Sequence, residues 1–338
     1  MTTSERSGRR RAKTWSLLGD VRRKVTPYEA VTAGFHYHFR RDPAPFELDP
    51  DMPLNRWYLE HREGSPFQVP NWEDYRDPFK LTYKEYISRQ HERELYLDRL
   101  IDRYEELDAA AGLDAGWVAT LEQLFVPLRF PLHGLQMISL YVGQMAPSSY
   151  ITNPAAFQAG DEMRRIQRIA YWTKVLANAH GGNLATTDAA RGPWTTGEAW
   201  QPLRETIEKL LIAYDWGEAF SALNLVVKPA IDTLLDRQLA GLADRNGDAF
   251  LGLLFAEFDH DAQRSRQWSQ ALVRYALAAD PALRDVLGGW VAAWTPRADA
   301  AVAGLAPLFE GAPVPMKADE ITAAVQTGRA ELLAACGL

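Results

Sequence analysis

With 338 residues, 47% of them apolar and 24% charged, the chain can bury one substantial core, and one large domain with appendages is expected rather than two equal ones. A formal charge of −7 argues against nucleic acid as the main partner, although the first residues are locally basic. The single cysteine, Cys336, excludes an internal disulfide, a cysteine zinc cluster and a cysteine-ligated iron–sulfur centre.

Residues 1–81 read as a basic arm followed by an extended irregular segment. Arg6, Arg9, Arg10, Arg11 and Lys13 lack apolar periodicity and suit either a solubilising tail or a contact with an acidic partner. Between Pro43, Pro45, Pro50, Pro53, Pro66, Pro70 and Pro78 no helix of ordinary length fits. A segment carrying Trp57, Tyr58, Trp72 and Tyr75 must lie on something, either another subunit or its own domain. The eleven tryptophans point toward a permanent partner, because large aromatics are favoured where chains meet.

Residues 82–279 carry the helical signal. Tyr83 to Leu107 is densely charged and reads as a solvated outer helix with His91 exposed. Residues 114–146 form a helix interrupted at Pro127 and Pro131, in which His133 reads as a hydrogen-bonded core residue. Pro154 is taken to open the next helix, whose stripe is Ala155, Ala159, Met163, Ile166, Ala170, Thr173 and Ala177. Glu162 falls inside that stripe and Arg165 to one side of it. Residues 181–201 read as a loop.

Tyr214 to Tyr275 reads as two long helices joined at Asp244 to Gly247, half of a four-helix bundle. At about 100° per residue, Phe250, Leu251, Leu254, Phe258, Ala262, Ser265, Trp268, Leu272 and Ala276 form one stripe. Glu257 and His260, the only Glu-x-x-His pair, face sideways or outward, unlike the inward pairs of di-iron bundles. Residues 280–338 add helices at 281–294, 297–309 and 318–335 as packing elements. No apolar run of about 18 residues and no secretory leader is evident, so the cytoplasm is the expected compartment.

The runs TWSLLGDVRRKVTPYEAV, NWEDYRDPFKLTY, LRFPLHGLQMISLYVGQMAPSSYI, YDWGEAFSALNLVVKP and DAQRSRQWSQALV resemble the β subunit of soluble di-iron hydroxylases of the toluene, alkene and isoprene monooxygenase type. The resemblance implies an all-α, ferritin-like (ribonucleotide reductase-like) bundle and a non-catalytic structural role. It also implies an (αβγ)₂ assembly whose α subunit holds the di-iron centre. Electrons would come from NADH through an FAD/iron–sulfur reductase and a Rieske [2Fe–2S] ferredoxin, and a small effector protein would gate the chemistry. The implied reactions are hydroxylation of toluene-like aromatics and epoxidation of alkenes such as isoprene. No nucleic acid and no membrane take part.

Carried onto this chain, the α-type pattern of two Glu-x-Arg-His pairs and two further glutamates falls at Glu162 to Arg165, at Ala262 to Ser265, near Leu132 or His133, and near Lys228. Of these only Glu162 keeps an acid, so no metal is expected beyond an adventitious ion at Glu162 or His260. Glu162 is expected to pair with Lys228, with Arg165, or with Arg264 reaching across; a Glu162 solvated in a crevice is the alternative. Trp15, Tyr28, Trp57, Trp72 and Tyr75 are the candidate interface residues. The competing readings are an autonomous iron-dependent oxidase using Glu162, Glu257 and His260, and a helical module that binds an acidic polymer through the N-terminal arm.

Overall fold

Side-chain caps set the helix boundaries. In the computed structural model, which describes residues 23–36 and 43–338, Thr82 and Glu85 form a reciprocal capping box at the start of α1 (Tyr83–Glu106). Asp114 caps α2 (Ala115–Leu124), and after a 3-10 turn at Val126–Leu128 the chain enters α3 (Arg129–Met145). The break falls at Pro127, while Pro131 sits inside the first turn of α3, where its missing N–H costs little. Ser148 caps α4 (Ser149–His180), which begins five residues earlier than the proline signal suggested and absorbs Pro154. Gly181, at φ 127°, ends it.

The stretch read as a loop at 181–201 instead holds a 3-10 turn and α5 (Thr187–Thr196), capped by Thr186. Next come α6 (Gln201–Leu210) and a continuous helix over 216–245, α7, capped by Asp215. Asn246 and Gly247, the latter at φ 78°, turn the chain into α8 (Ala249–Ala279). Asp248 caps α8 and accepts a 3.1 Å hydrogen bond from the Trp117 indole. The two short helices expected at 281–309 are one, α9 (Leu283–Glu310), which carries Pro296 and Pro307 inside it; α10 (Ala318–Cys336) ends the chain.

α3, α4, α7 and α8 form the bundle, α1 lies along α4 and α8, and α9 and α10 pack on its far side within the same apolar core. Among the described residues no strand occurs. Nor is any described helix long and apolar enough to cross a membrane. All nine stripe residues assigned to α8 are buried. On α4 the stripe is only half right. Met163 is 38% exposed, and Ile166 and Ala170 are half-buried, whereas Gln158, Asp161, Glu162, Arg164 and Arg165 are buried. Apolar periodicity misplaces this face because charged and amide side chains fill it.

The segment before α1 wraps its own bundle. The Phe67 ring lies 5.1 Å from Trp216 and 6.1 Å from Phe220, both stacked, and Trp72 meets Trp216 edge-on at 5.3 Å. The Tyr75 hydroxyl donates to the Trp268 carbonyl at 3.1 Å. Gly217 makes the approach possible: a Cβ there would stand 2.6 Å from Phe67 and 2.9 Å from Trp290. Seven of the eleven tryptophans, at 72, 117, 172, 200, 216, 268 and 294, are buried inside the chain, so the aromatic surplus fills the interior.

Candidate functional site in the bundle interior

α7 is not a uniform α-helix. Ala222–Val227 and Thr233–Leu239 are π-helical. Four residues of α-helix advance about 40° beyond a full turn, so a row at spacing four drifts off one face. A π turn takes up roughly one residue more per turn and cancels that drift. Asn224, Lys228, Asp232 and Asp236 therefore all reach the bundle interior, each no more than 4% exposed.

They build polar layers with α4. In the first, Gln158 fills its hydrogen-bonding capacity. Its amide nitrogen donates to Ser139 (3.0 Å) and Asn224 (2.9 Å), while its oxygen accepts from Ser265 and from the Trp268 indole (3.1 Å). One turn further, the Lys228 ammonium donates to Glu162 and lies 3.1 Å from both Asp232 oxygens. The Arg165 guanidinium, 2% exposed, bridges Glu162 (3.3 Å), Asp232 (2.8 Å) and Asp236 (2.8 Å). Of the three cations expected as partners for Glu162, Lys228 and Arg165 serve and Arg264 does not.

Three carboxylates thus face two cations. Burial works against ionised Asp232, but Lys228 and Arg165 outweigh it and hold its carboxyl below the usual range. Burial, reinforced by Asp232, pushes Asp236 well above that range. Burial would lower Lys228 and Arg165, yet the acids raise both. Of the acids facing Lys228 and Arg165, Asp236 is thus the one burial drives toward its neutral form.

A second cluster joins α1, α4 and α8. Arg164 donates to Glu94, to Asp261 (2.8 Å) and to Glu257 (3.1 Å). Arg93 holds Glu257 (3.3 Å) and Asp261 (3.0 Å), Arg264 pairs with Asp161 and Asp261, and Arg168 pairs with Glu94. Gln90 bridges Asp161 (2.8 Å) and Asp261 (3.0 Å). Burial and the neighbouring Asp261 push Asp161 up to about 7, whereas Arg264, Arg164 and Arg93 overcome burial to hold Asp261 down. α1 is therefore more than a solvated wall.

The implied di-iron ligand set does not fit this interior. Glu162 is engaged by an ammonium and a guanidinium that would repel iron, and Ala262 and Ser265, both buried, offer neither carboxylate nor imidazole. Leu132 is buried, while His133 is exposed rather than a core residue. Glu162, Glu257 and His260 do not converge: Glu162 and Glu257 belong to different ion clusters, and His260 is exposed. Among the described residues no group of three or more His, Cys, Asp or Glu is placed to hold a metal ion. Of the candidate interface residues, Tyr28, Trp72 and Tyr75 are buried in their own chain and present almost no side-chain surface outward. Trp57 is half-buried against Tyr214 at 4.8 Å, and Trp15 lies outside the described residues.

Comparison with known proteins fits this bundle. Residues 57–280 match the methane/phenol/alkene hydroxylase family. The chain belongs to that family. It is 40% identical over 294 residues, covering 86% of this chain and 88% of the relative, to the hydroxylase component β subunit of the toluene-4-monooxygenase system of Ectopseudomonas mendocina. The oxygenase component of a phenol 2-monooxygenase from Pseudomonas sp. strain CF600 is 26% identical, with 88% and 85% of the two chains covered. A solved structure of toluene 4-monooxygenase with toluene in its resting active site superposes with a TM-score of 0.81 at 38% identity, covering 88% of this chain and 97% of that one. The likeness extends along nearly the whole β subunit, so this is a β-type hydroxylase chain of the family.

Asp161, Asp232, Asp236, Asp261, Gln158 and Asn224 escaped the sequence reading. The signal for three of them is Asn224, Lys228, Asp232 and Asp236 recurring every fourth position in an otherwise apolar run. A strict α-helical wheel scatters that row.

Proposed function

We propose that this chain is the structural β subunit of a multicomponent di-iron monooxygenase, bracing an α subunit that carries the metal and performs the oxidation. The observation that supports this reading best is the inner ion cluster. In a chain 40% identical to a hydroxylase β subunit, an ammonium and a guanidinium occupy the interior at the positions the resemblance assigns to ligands. Glu162, Arg165, Lys228, Ala262 and Ser265 are, on this reading, vestigial ligand positions. The assembly is (αβγ)₂, supplied with electrons from NADH through a reductase and a Rieske-type ferredoxin, gated by a small effector and located in the cytoplasm. Its substrates are toluene-like aromatics or alkenes, isoprene among them.

The test is co-expression with the candidate α and γ chains, followed by metal analysis of the purified complex and of this chain alone. Expected is iron recovered with α, about two per α, with oxidation of toluene or isoprene only by the complex. Stoichiometric iron in this chain alone, or turnover by it without companions, would overturn the proposal.

A further inference from the structure

A groove of about 340 Å³ opens at the surface between α1 and α8, on the outer side of the second ion cluster. Arg89 and Arg93 line it from α1, His260, Gln263, Arg264 and Gln267 line it from α8, and Phe79 adds an apolar wall. Among the described residues no carboxylate lines it, in a chain whose acids outnumber its lysines and arginines by 44 to 37. The acids that pair with Arg93 and Arg264 sit behind them in the cluster. Asp261 takes Nη1 of Arg93 at 3.0 Å and Nη2 of Arg264 at 3.2 Å, and Asp161 also takes Nη2 of Arg264.

A guanidinium has five N–H donors in a rigid fork. The buried acids use only part of each fork and hold both planes in place while each still borders the groove. Arg89 is exposed at the groove, and its charge acts on Glu85 one turn earlier on α1, which does not line the groove. His260 is exposed beside it and, as shown above, belongs to no metal set.

We propose that this groove is an oxyanion site that takes a phosphate-type group, free or carried on a small phosphomonoester. Arg89 supplies an exposed guanidinium, and the forks of Arg93 and Arg264, fixed from behind, supply directed donors. Donors held in advance lose little freedom on binding, and a fork matches two oxygens of a tetrahedral anion. Gln263 and Gln267 add neutral donors at the rim. The inference is argued from the groove's own residues, and its test in the assembly rests on the proposed hydroxylase role.

The experiment uses the full chain in its purified hydroxylase assembly and measures binding by titration calorimetry, with inorganic phosphate and glycerol phosphate as probes and sodium chloride matched for ionic strength. Saturable binding is expected, at least tenfold weaker in Arg89→Gln and unchanged in Arg99→Gln, an exposed arginine further along α1. Preference for glycerol phosphate over phosphate assigns the source to a phosphomonoester; equal binding assigns it to the free anion. The proposal is overturned if chloride produces the same response, if Arg99→Gln weakens binding as much as Arg89→Gln, or if phosphate binds the isolated chain but not the assembly.

Discussion

At the residue scale the inner cluster makes Glu162 a test of what holds the bundle interior together. Glu162 is fully buried against Lys228 and Arg165. Removing one partner of such a pair typically costs about 3–5 kcal/mol, because the remaining charges stay buried without compensation. Glu162→Ala is expected to lower stability by about that amount in chemical denaturation of the assembled complex. The double change Glu162→Leu with Lys228→Met is expected to cost clearly less, since it removes one charge of each sign. An unchanged midpoint for Glu162→Ala would show that the pairing contributes nothing. Asp77 gives a separate readout. Its side chain is 3% exposed, accepts from the Lys80 backbone N–H at 3.0 Å, and is pushed by burial from 3.8 up to about 6. Between about pH 4 and 6 the native protein holds a proton that the unfolded chain has released, so this group's contribution falls as pH rises through that window. Asp77→Asn cannot ionise. It is expected to be more stable than wild type above pH 6, by up to about 3 kcal/mol, with the advantage fading below pH 4 in urea denaturation across the pH range.

Three elements explain how much of the architecture could be read in advance. α8 was legible because its buried face is almost wholly apolar, and the wheel put all nine stripe residues on the correct side. α4 was half legible. Its interior face carries Gln158, Glu162 and Arg165, and an apolar count rotates the stripe toward Met163, which is 38% exposed. α7 hid its polar row behind two π-helical stretches that no periodicity at 3.6 residues can display. Deleting one residue from Ala222–Val227 should return that stretch to α geometry and leave Lys228, Asp232 and Asp236 facing the interior, because a π turn holds roughly one residue more than an α turn. The expected outcome is that the complex is still recovered on co-expression with α, whereas a deletion within the α-helical Lys228–Asp232, which swings Asp236 by about 100°, loses it. The wrapping segment makes a milder prediction. Gly217→Ala places a methyl group against Phe67 and Trp290, and overpacking of this kind costs about 1–3 kcal/mol. Limited proteolysis is expected to show faster cleavage within residues 59–74 in that variant.

For the whole molecule, the interior is a bundle of the methane/phenol/alkene hydroxylase family whose centre is cross-linked by charge. One cluster ties α4 to α7, and a second ties α1 to α4 and α8. The first lies among fully buried residues where salt reaches poorly, the second is only partly open at its groove side, and screening acts mainly on exposed pairs. Stability of the complex is therefore expected to depend weakly on sodium chloride between 0.05 and 0.5 M, on the order of 1 kcal/mol or less, as measured by urea midpoints. A strong decline with salt would mean that surface pairs such as Arg204 with Glu208 carry more of the load than the buried ones.

The way the inner cluster closes on itself also bears on reversibility. Placing a glutamate at Ala262 or a histidine at Ser265 would add a group to an interior whose acids are already paired with Lys228 and Arg165. Taking away Lys228 or Arg165 alone would leave acids stranded without counter-charge. Every one-step route toward a metal centre thus passes through a poorly folding intermediate, and only several simultaneous replacements avoid it. The scaffold works as a ratchet: stability, with no need of selection on catalysis, keeps such a chain from drifting back into an oxidase.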